Sequence, residues 1–239
     1  TKIETEYKRF KVFGNVSKTE IPYEFKSYFS DLKRDGVVVI ENFYSSEECK
    51  NFKTEIDNLL TKYDNKIWKD ENNSDFRFYG IEKFSELLAK FGYNESLKKA
   101  GEAYLKTPIK LTMLLAGKLN YVKQNLGSGG GWHRDSVNMH EFKSIIYLSD
   151  VKEENGPFTY LLKSHTDQNV IDGIVKCGIK YNQNRFSEEE VELIIEKCNL
   201  EKKTYIGKAG TLILVDTRGV HAGVPIKSLE RYALTNYYS

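Results

Sequence analysis

A chain of 239 residues is long enough to bury one sizeable core, and 40% hydrophobic against 29% charged residues is an ordinary globular composition, which excludes wholesale disorder. Its 36 basic and 34 acidic side chains leave a formal charge of +2, so nothing resembles the electrostatic footprint of a nucleic-acid or anionic-membrane binder, although a local patch for a small anionic substrate stays open. No apolar run approaches the roughly eighteen residues that a membrane span needs.

The opening segment, "TKIETEYKRFKVFG", lacks a secretory-type hydrophobic stretch, and Cys49, Cys177 and Cys198 form no CxxC pair. Reduced thiols in a cytoplasmic protein are therefore expected. Apolar residues at helical spacing in "IPYEFKSYFSDLKRDG" predict a helix stopped at Gly36, and "GVVVIENF" reads as a buried strand. Ser45 and Glu48 stand in capping-box positions ahead of Cys49, Phe52, Ile56, Leu59 and Leu60, the buried stripe of one amphipathic helix. Residues 66 to 80 read as extended, and 82 to 105 as two helices broken near Gly92.

From about residue 109 the pattern changes. "IKLTMLLAGKLNYV", "KSIIYLSDV", "PFTYLLK", "GTLILVD" and "RYALTNYY" are short β-branched and aromatic runs separated by turn residues. They predict a sandwich or barrel. One helix, "FSEEEVELIIEKC", with Ser187 and Glu190 as a capping box, interrupts the series as an insertion. Strands and helices do not alternate, so the expected fold is mainly β with helices (α+β), a jelly-roll core with helices packed on one side. The expected organisation is a single domain over 1–239, with a helical part at 1–108, the jelly roll at 109–239 and a helical insertion at about 166–203.

Within "GSGGGWHRDS", His133 and Asp135 are two residues apart and project to one side of an extended chain. His221 follows the strand "GTLILVD", far from His133 in sequence, and an antiparallel sandwich can bring the two together. Two imidazoles and one carboxylate on one face of a metal leave open positions, the pattern of non-heme Fe(II) oxygenases; the same set also suits catalytic zinc in a cupin-like hydrolase or isomerase. Arg231 lies ten residues past His221. A hairpin centred near Ile226 would set it opposite His221 on the neighbouring strand, about 5 Å away at Cα. There its guanidinium would grip a carboxylate through two parallel hydrogen bonds. A metal chelated at one end of a small diacid whose other end meets an arginine describes 2-oxoglutarate.

"WHRDS", "FKSIIYLSDVKEENGPFTYLLKSH", "GTLILVDTRGVHAG" and "RYALTNYY", in this order, resemble the successive signatures of the phytanoyl-CoA dioxygenase family, most closely its small bacterial-type members. "LKRDGVVVIENFYSSEEC" is similar to the family's opening strand and helix. The resemblance implies a double-stranded β-helix (jelly-roll, cupin-like) core, with His133, Asp135 and His221 as iron ligands. It also implies that Arg231 anchors the distal carboxylate of 2-oxoglutarate and that Asn120, in "GKLNYV", helps hold this cosubstrate. Leu162 and Lys163 stand where the family often has Pro-Gly, a departure confined to the loop before His165. Fe(II), 2-oxoglutarate and O2 are the implied cofactors. The implied reaction oxidises an unactivated C–H bond of a small molecule while 2-oxoglutarate becomes succinate and CO2. Related halogenases replace the carboxylate with a small residue, so Asp135 argues for hydroxylation or another oxidation.

Other residues carry plainer expectations. His165 holds its loop by hydrogen bonds, His140 belongs to the surface or a cavity wall, and Arg134 points away from the metal face. Trp132, Phe76, Phe78 and Tyr79 are read as core before pocket. Lys143 and Tyr147 come within reach of a substrate only if they face the site. A non-catalytic jelly roll is the remaining alternative, and the intact ligand set and anchor argue against it.

Overall fold

The structure, a computed structural model, describes residues 19–239. The segment "TKIETEYKRFKVFG", read above as lacking a secretory-type hydrophobic stretch, lies outside the described residues. Among the described residues the strands are, in chain order, β1 (Val37–Ile40), β2 (Trp68–Lys69), β3 (Asp75–Tyr79), β4 (Leu111–Asn120), β5 (Phe142–Tyr147), β6 (Phe158–Leu161), β7 (Lys202–Tyr205), β8 (Leu212–Asp216), β9 (His221–Gly223) and β10 (Glu230–Tyr238). The helices are α1 (Phe29–Asp35), α2 (Ser46–Lys62), α3 (Glu86–Gly92), α4 (Glu95–Leu105), α5 (Asp167–Cys177) and α6 (Glu188–Cys198). A large antiparallel sheet runs β1-β8-β5-β10-β4-β3-β2, and a small one runs β7-β6-β9.

Side-chain alternation along the strands divides the large sheet into two faces. Leu114, Ala116, Phe142, Ile146, Leu212, Leu214, Tyr232 and Leu234 turn outward into one cluster with Phe52, Ile56, Leu88, Phe91 and Leu97 from the helices. The expected helical layer on one side of a jelly roll is therefore present. The other face looks toward the small sheet. Near β1 and β8 this interior is packed by Val37, Tyr147, Phe158, Tyr160, Ile213 and Val215, and near β3, β4 and β10 it opens into a cavity.

The helix starts follow the sequence signals. Ser45 and Ser187 each accept from the backbone of a glutamate three residues on, and each glutamate answers the serine's N–H. Gly36 ends α1 with φ 85°, a left-handed conformation that favours glycine. The segment before α1, Tyr23–Tyr28, winds as a 3-10 helix, so the predicted first helix is split.

Three expectations are corrected. The amino-terminal part is not only helical: β1 pairs with β8 and β3 with β4, so it widens the large sheet at both edges. The insertion holds two helices, since α5 precedes the expected α6; "DQNVIDGIVKC" hides its helix behind β-branched residues and Gly173. Arg231 is not on the strand beside His221. Its Cα partner is Leu119 on β4, whereas His221 pairs with Tyr160 on β6. Pro225 offers no N–H to extend a ladder, and Asn125 takes Ile226 through N–H and carbonyl at 2.9 and 2.7 Å. The chain crosses from the small sheet to the large one there, so His221 and Arg231 face each other across the sandwich.

Candidate functional site

β8 ends at Asp216, and a short turn leads to His221 at the start of β9. His133 lies alongside, each residue's N–H donating to the other's carbonyl at 2.8 Å. Arg185 bridges the opposite side of His133, and the N–H of Asp135 donates to Thr217 O at 2.9 Å. This stretch has no strand of its own, yet pairing on both sides keeps it extended and aims His133 and Asp135 the same way. The preceding glycines fold over the ligand ring. Gly129, at φ 88°, sits so close that a Cβ there would collide with the His133 imidazole.

The ligand atoms of His133, Asp135 and His221 all lie within 4.8 Å of one another, near the spacing that one ion with bonds of about 2.1 Å imposes. Nδ1–H of His133 donates to Gly131 O at 2.9 Å, and Nδ1–H of His221 donates to Gly219 O at 2.9 Å. Both Nε2 atoms are left as lone-pair donors, the tautomer a metal requires. Burial, reinforced by His133, pushes the His221 pKa down to about 3, and burial lowers that of His133 as well. Burial opposes ionisation of Asp135, but Lys143 and His221 outweigh it and hold the carboxyl well below its usual range. Two neutral imidazoles and one carboxylate thus converge at neutral pH, and the residues fit a divalent cation.

Lys143 Nζ donates to Asp135 Oδ2 at 2.8 Å and sits 3.9 Å from the centre of the Tyr237 ring. Arg231 is 8% exposed and faces the same cavity. Its Nη1 donates to Gly156 O, and among the described residues no carboxylate hydrogen-bonds its guanidinium. Burial lowers its pKa, with Tyr147 and Asp75 acting in the opposite direction. The cavity therefore holds an ordered cation with spare donors across from the three ligand atoms.

Asn120 is not brought to this place. Its Cα partner is Glu230, and alternation along β4 sends Leu115, Gly117 and Leu119 to the cavity while Asn120 turns to the other face. Asn120→Ala is expected to leave 2-oxoglutarate affinity within about twofold of wild type in a calorimetric titration, as for a residue without a ligand contact.

Trp132 and Arg134 point away from the ligands. The indole N–H donates to Glu188 at 2.9 Å within the insertion's core, and the Arg134 guanidinium lies 5.0 Å from the Phe186 ring. His165 is buried and donates through Nε2 to Lys33 O at 3.2 Å, a loop-holding role. His140 donates to Asp216. Phe78 is core, whereas Tyr79 is 42% exposed. Sequence reasoning passed over Asp75 and Arg77, both of which line the cavity. Their signal was the alternation in "DFRFYG", where Asp75 and Arg77 alternate with Phe76 and Phe78.

Among curated proteins none matches the sequence. Solved structures match across most of the chain at low identity. The epimerase SnoN, in complex with Fe3+, alpha ketoglutarate and nogalamycin RO, superposes with a TM-score of 0.69 at 16% identity, covering 91% of this chain and 84% of its own. EctD from S. alaskensis, with 2-oxoglutarate and 5-hydroxyectoine, gives 0.68 at 18% identity over 90% and 75%. HygX from Streptomyces hygroscopicus, with nickel, 2-oxoglutarate and hygromycin B, gives 0.62 at 14% over 90% and 86%. These likenesses carry the fold alone. The family model for phytanoyl-CoA dioxygenase matches residues 32–231, and so the chain belongs to the phytanoyl-CoA dioxygenase family.

Proposed function

We propose that this protein is an Fe(II)/2-oxoglutarate-dependent dioxygenase that hydroxylates an unactivated carbon of a small molecule. The observation that carries the reading is Arg231, a buried cation with no hydrogen-bonded carboxylate among the described residues, facing His133, Asp135 and His221 across one cavity. His133 and His221 supply neutral Nε2 donors, and Asp135 supplies the anionic one. Arg231 takes the distal carboxylate of 2-oxoglutarate through its spare N–H groups. Bound iron with O2 and 2-oxoglutarate supplies the oxidising chemistry, yielding succinate, CO2 and an oxidised C–H bond.

The rest of the chain positions and shields. The backbone carbonyls of Gly131 and Gly219 fix the imidazole tautomers. Leu119, Ile145 and Phe158 line the cavity with apolar surface, which excludes water and strengthens the Arg231 ion pair. EctD and HygX, whose solved forms hold 2-oxoglutarate with a second small molecule, support a small-molecule substrate here. The free thiols of Cys49, Cys177 and Cys198 support work in a reducing compartment.

Anaerobic titration of 2-oxoglutarate into the Fe(II)-loaded protein tests the proposal through the visible charge-transfer band of the chelate. Arg231→Ala is expected to weaken binding at least about a hundredfold, since two charge-assisted hydrogen bonds are lost. A zinc hydrolase would give no band and would tolerate the substitution at its metal. No band from a wild type that binds iron would overturn the oxygenase reading.

A further inference from the structure

Arg77, Gly117, Ala233 and Tyr147 are successive cross-strand partners on β3, β4, β10 and β5, and all line the cavity. An arginine and a tyrosine thus stand at the ends of a row whose two middle members are among the smallest residues. A Cβ added at Gly117 would meet nothing nearer than Ala233 O at 3.9 Å. The floor between Arg77 and Tyr147 is open for want of side chains, and a ligand can lie along it.

Arg77 is built for one end of such a ligand. Its side chain is 16% exposed. Nε and Nη2 both donate to a single oxygen of Asp75, at 2.9 and 2.7 Å, and Nη2 also reaches Ser128 Oγ at 3.4 Å; Asp75 does not take Nη1, and the Tyr79 phenol is the other group that interacts with the guanidinium. The guanidinium lies 5.2 Å from the Trp68 ring on its cross-strand partner, which restrains its plane.

The charges in the cavity do not balance. Arg77, Lys143 and Arg231 face two carboxylates, Asp75 and Asp135. Under the function proposed above, on which this inference rests, a divalent metal and the 2-oxoglutarate dianion cancel, and one positive charge is left over. An uncompensated cation in a largely buried site is unfavourable. Lys143 is held by Asp135 at 2.8 Å, and Arg231 is taken by 2-oxoglutarate. Asp75 ion-pairs with Arg77 and stands across Leu119 from Arg231, whose charge it also favours, so its charge is shared. The surplus belongs to the cavity as a whole, and Arg77 is the arginine that 2-oxoglutarate does not take.

We infer that the primary substrate is an organic monoanion whose carboxylate is received by Arg77 and whose carbon skeleton lies over Gly117 and Ala233. A planar two-donor fork and a single surplus charge suit a carboxylate better than a phosphate monoester, which carries nearly two charges.

The probes are matched pairs, acetate with acetamide, benzoate with benzamide, and 3-phenylpropanoate with its amide, titrated calorimetrically into the nickel-loaded, 2-oxoglutarate-bound protein. At least one acid is expected to bind about tenfold or more tightly than its amide, and Arg77→Gln is expected to reduce that preference below about threefold. Arg77→Lys should restore part of it, as charge without the fork. Gly117→Leu fills the floor without touching any charge, and it should exclude the two aromatic acids while sparing acetate. Equal binding of acids and amides, no binding by any acid, or a preference that survives Arg77→Gln would overturn the inference. 2-Oxoglutarate binding is measured first in each protein: its loss in wild type counts against the proposed function, whereas normal binding without acid preference counts against this inference alone. Should Arg77→Gln fail to fold, Gly117→Leu decides by itself.

Discussion

His221→Ala is expected to lower Fe(II) or Ni(II) affinity by more than about a hundredfold, beyond the loss caused by removing a residue that merely supports a ligand. The imidazole is buried, its Nδ1–H is committed to Gly219 O, and its Nε2 lies 3.8 Å from Asp135 Oδ2. Its loss leaves two of the three donors on one side of the site, and no other histidine is placed to substitute, because His140 and His165 belong to a different cluster. Two measurements check the outcome. Competition with a chelator gives the affinity, and thermal melting gives the linked stabilisation, which for a site filled at a hundred times its Kd is about 2.7 kcal/mol. In wild type the metal should raise the melting temperature; in the variant that metal-dependent rise should vanish, separately from any lowering of the metal-free melting temperature by loss of a buried imidazole. His133→Ala should behave alike. A variant that keeps the metal-dependent rise would place the metal elsewhere.

Much of the fold was legible because its signals are local. Ser45 with Glu48 and Ser187 with Glu190 announce helix starts through hydrogen bonds that span three residues. "GTLILVD" and "RYALTNYY" announce strands through runs that only a sheet buries well. The convergence of the proposed ligands was legible for another reason: Asp135 and two histidines are chemically specific, and their strand contexts suited an antiparallel sandwich that brings them within 4.8 Å of one another. What stayed hidden depends on sheet assignment. The spacing from His221 to Arg231 fits a hairpin in one sheet and equally a crossover between two. Only Pro225 and the Asn125 clasp on Ile226 select the crossover. Asn120 shows the same limit. A residue adjacent to a cavity-lining leucine belongs to the opposite face, and the choice of face follows from the partner strand's register. Lys202–Tyr205 was missed as a strand because three of its four residues are exposed, so no apolar alternation marks it.

Asp216→Ala is expected to destabilise the protein by about 3–5 kcal/mol, the cost of removing one partner from a buried charged network. The carboxylate is fully buried at the end of β8. It accepts from Tyr104 Oη at 2.8 Å, from the backbone N–H groups of Glu141 and Arg218 at 3.1 and 3.0 Å, and from His140. Arg218 in turn donates to Val137 O, His165 O and Asp167, so the cluster ties α4, the end of β8, the loop after Asp135 and the start of the insertion to one point. An alanine leaves four donors facing a void, and those that water fails to reach each cost about 1–3 kcal/mol. Asp216→Asn keeps the shape and most acceptor capacity, and its loss should be about half as large by the same reasoning. The pH dependence has a definite sign. Burial raises the carboxyl's pKa, but the hydrogen bond and charge of His140, with His165 and Tyr104, bring it below the ordinary value. A carboxylate with a depressed folded pKa contributes its full stability above the unfolded pKa of about 3.9 and loses it as pH falls through the folded value. The gap between wild type and Asp216→Ala in denaturant unfolding should therefore be constant from neutral pH down to about pH 5 and shrink below about pH 4. A variant as stable as wild type would mean that solvent reaches the cluster and that the network only orients the loop beside Asp135.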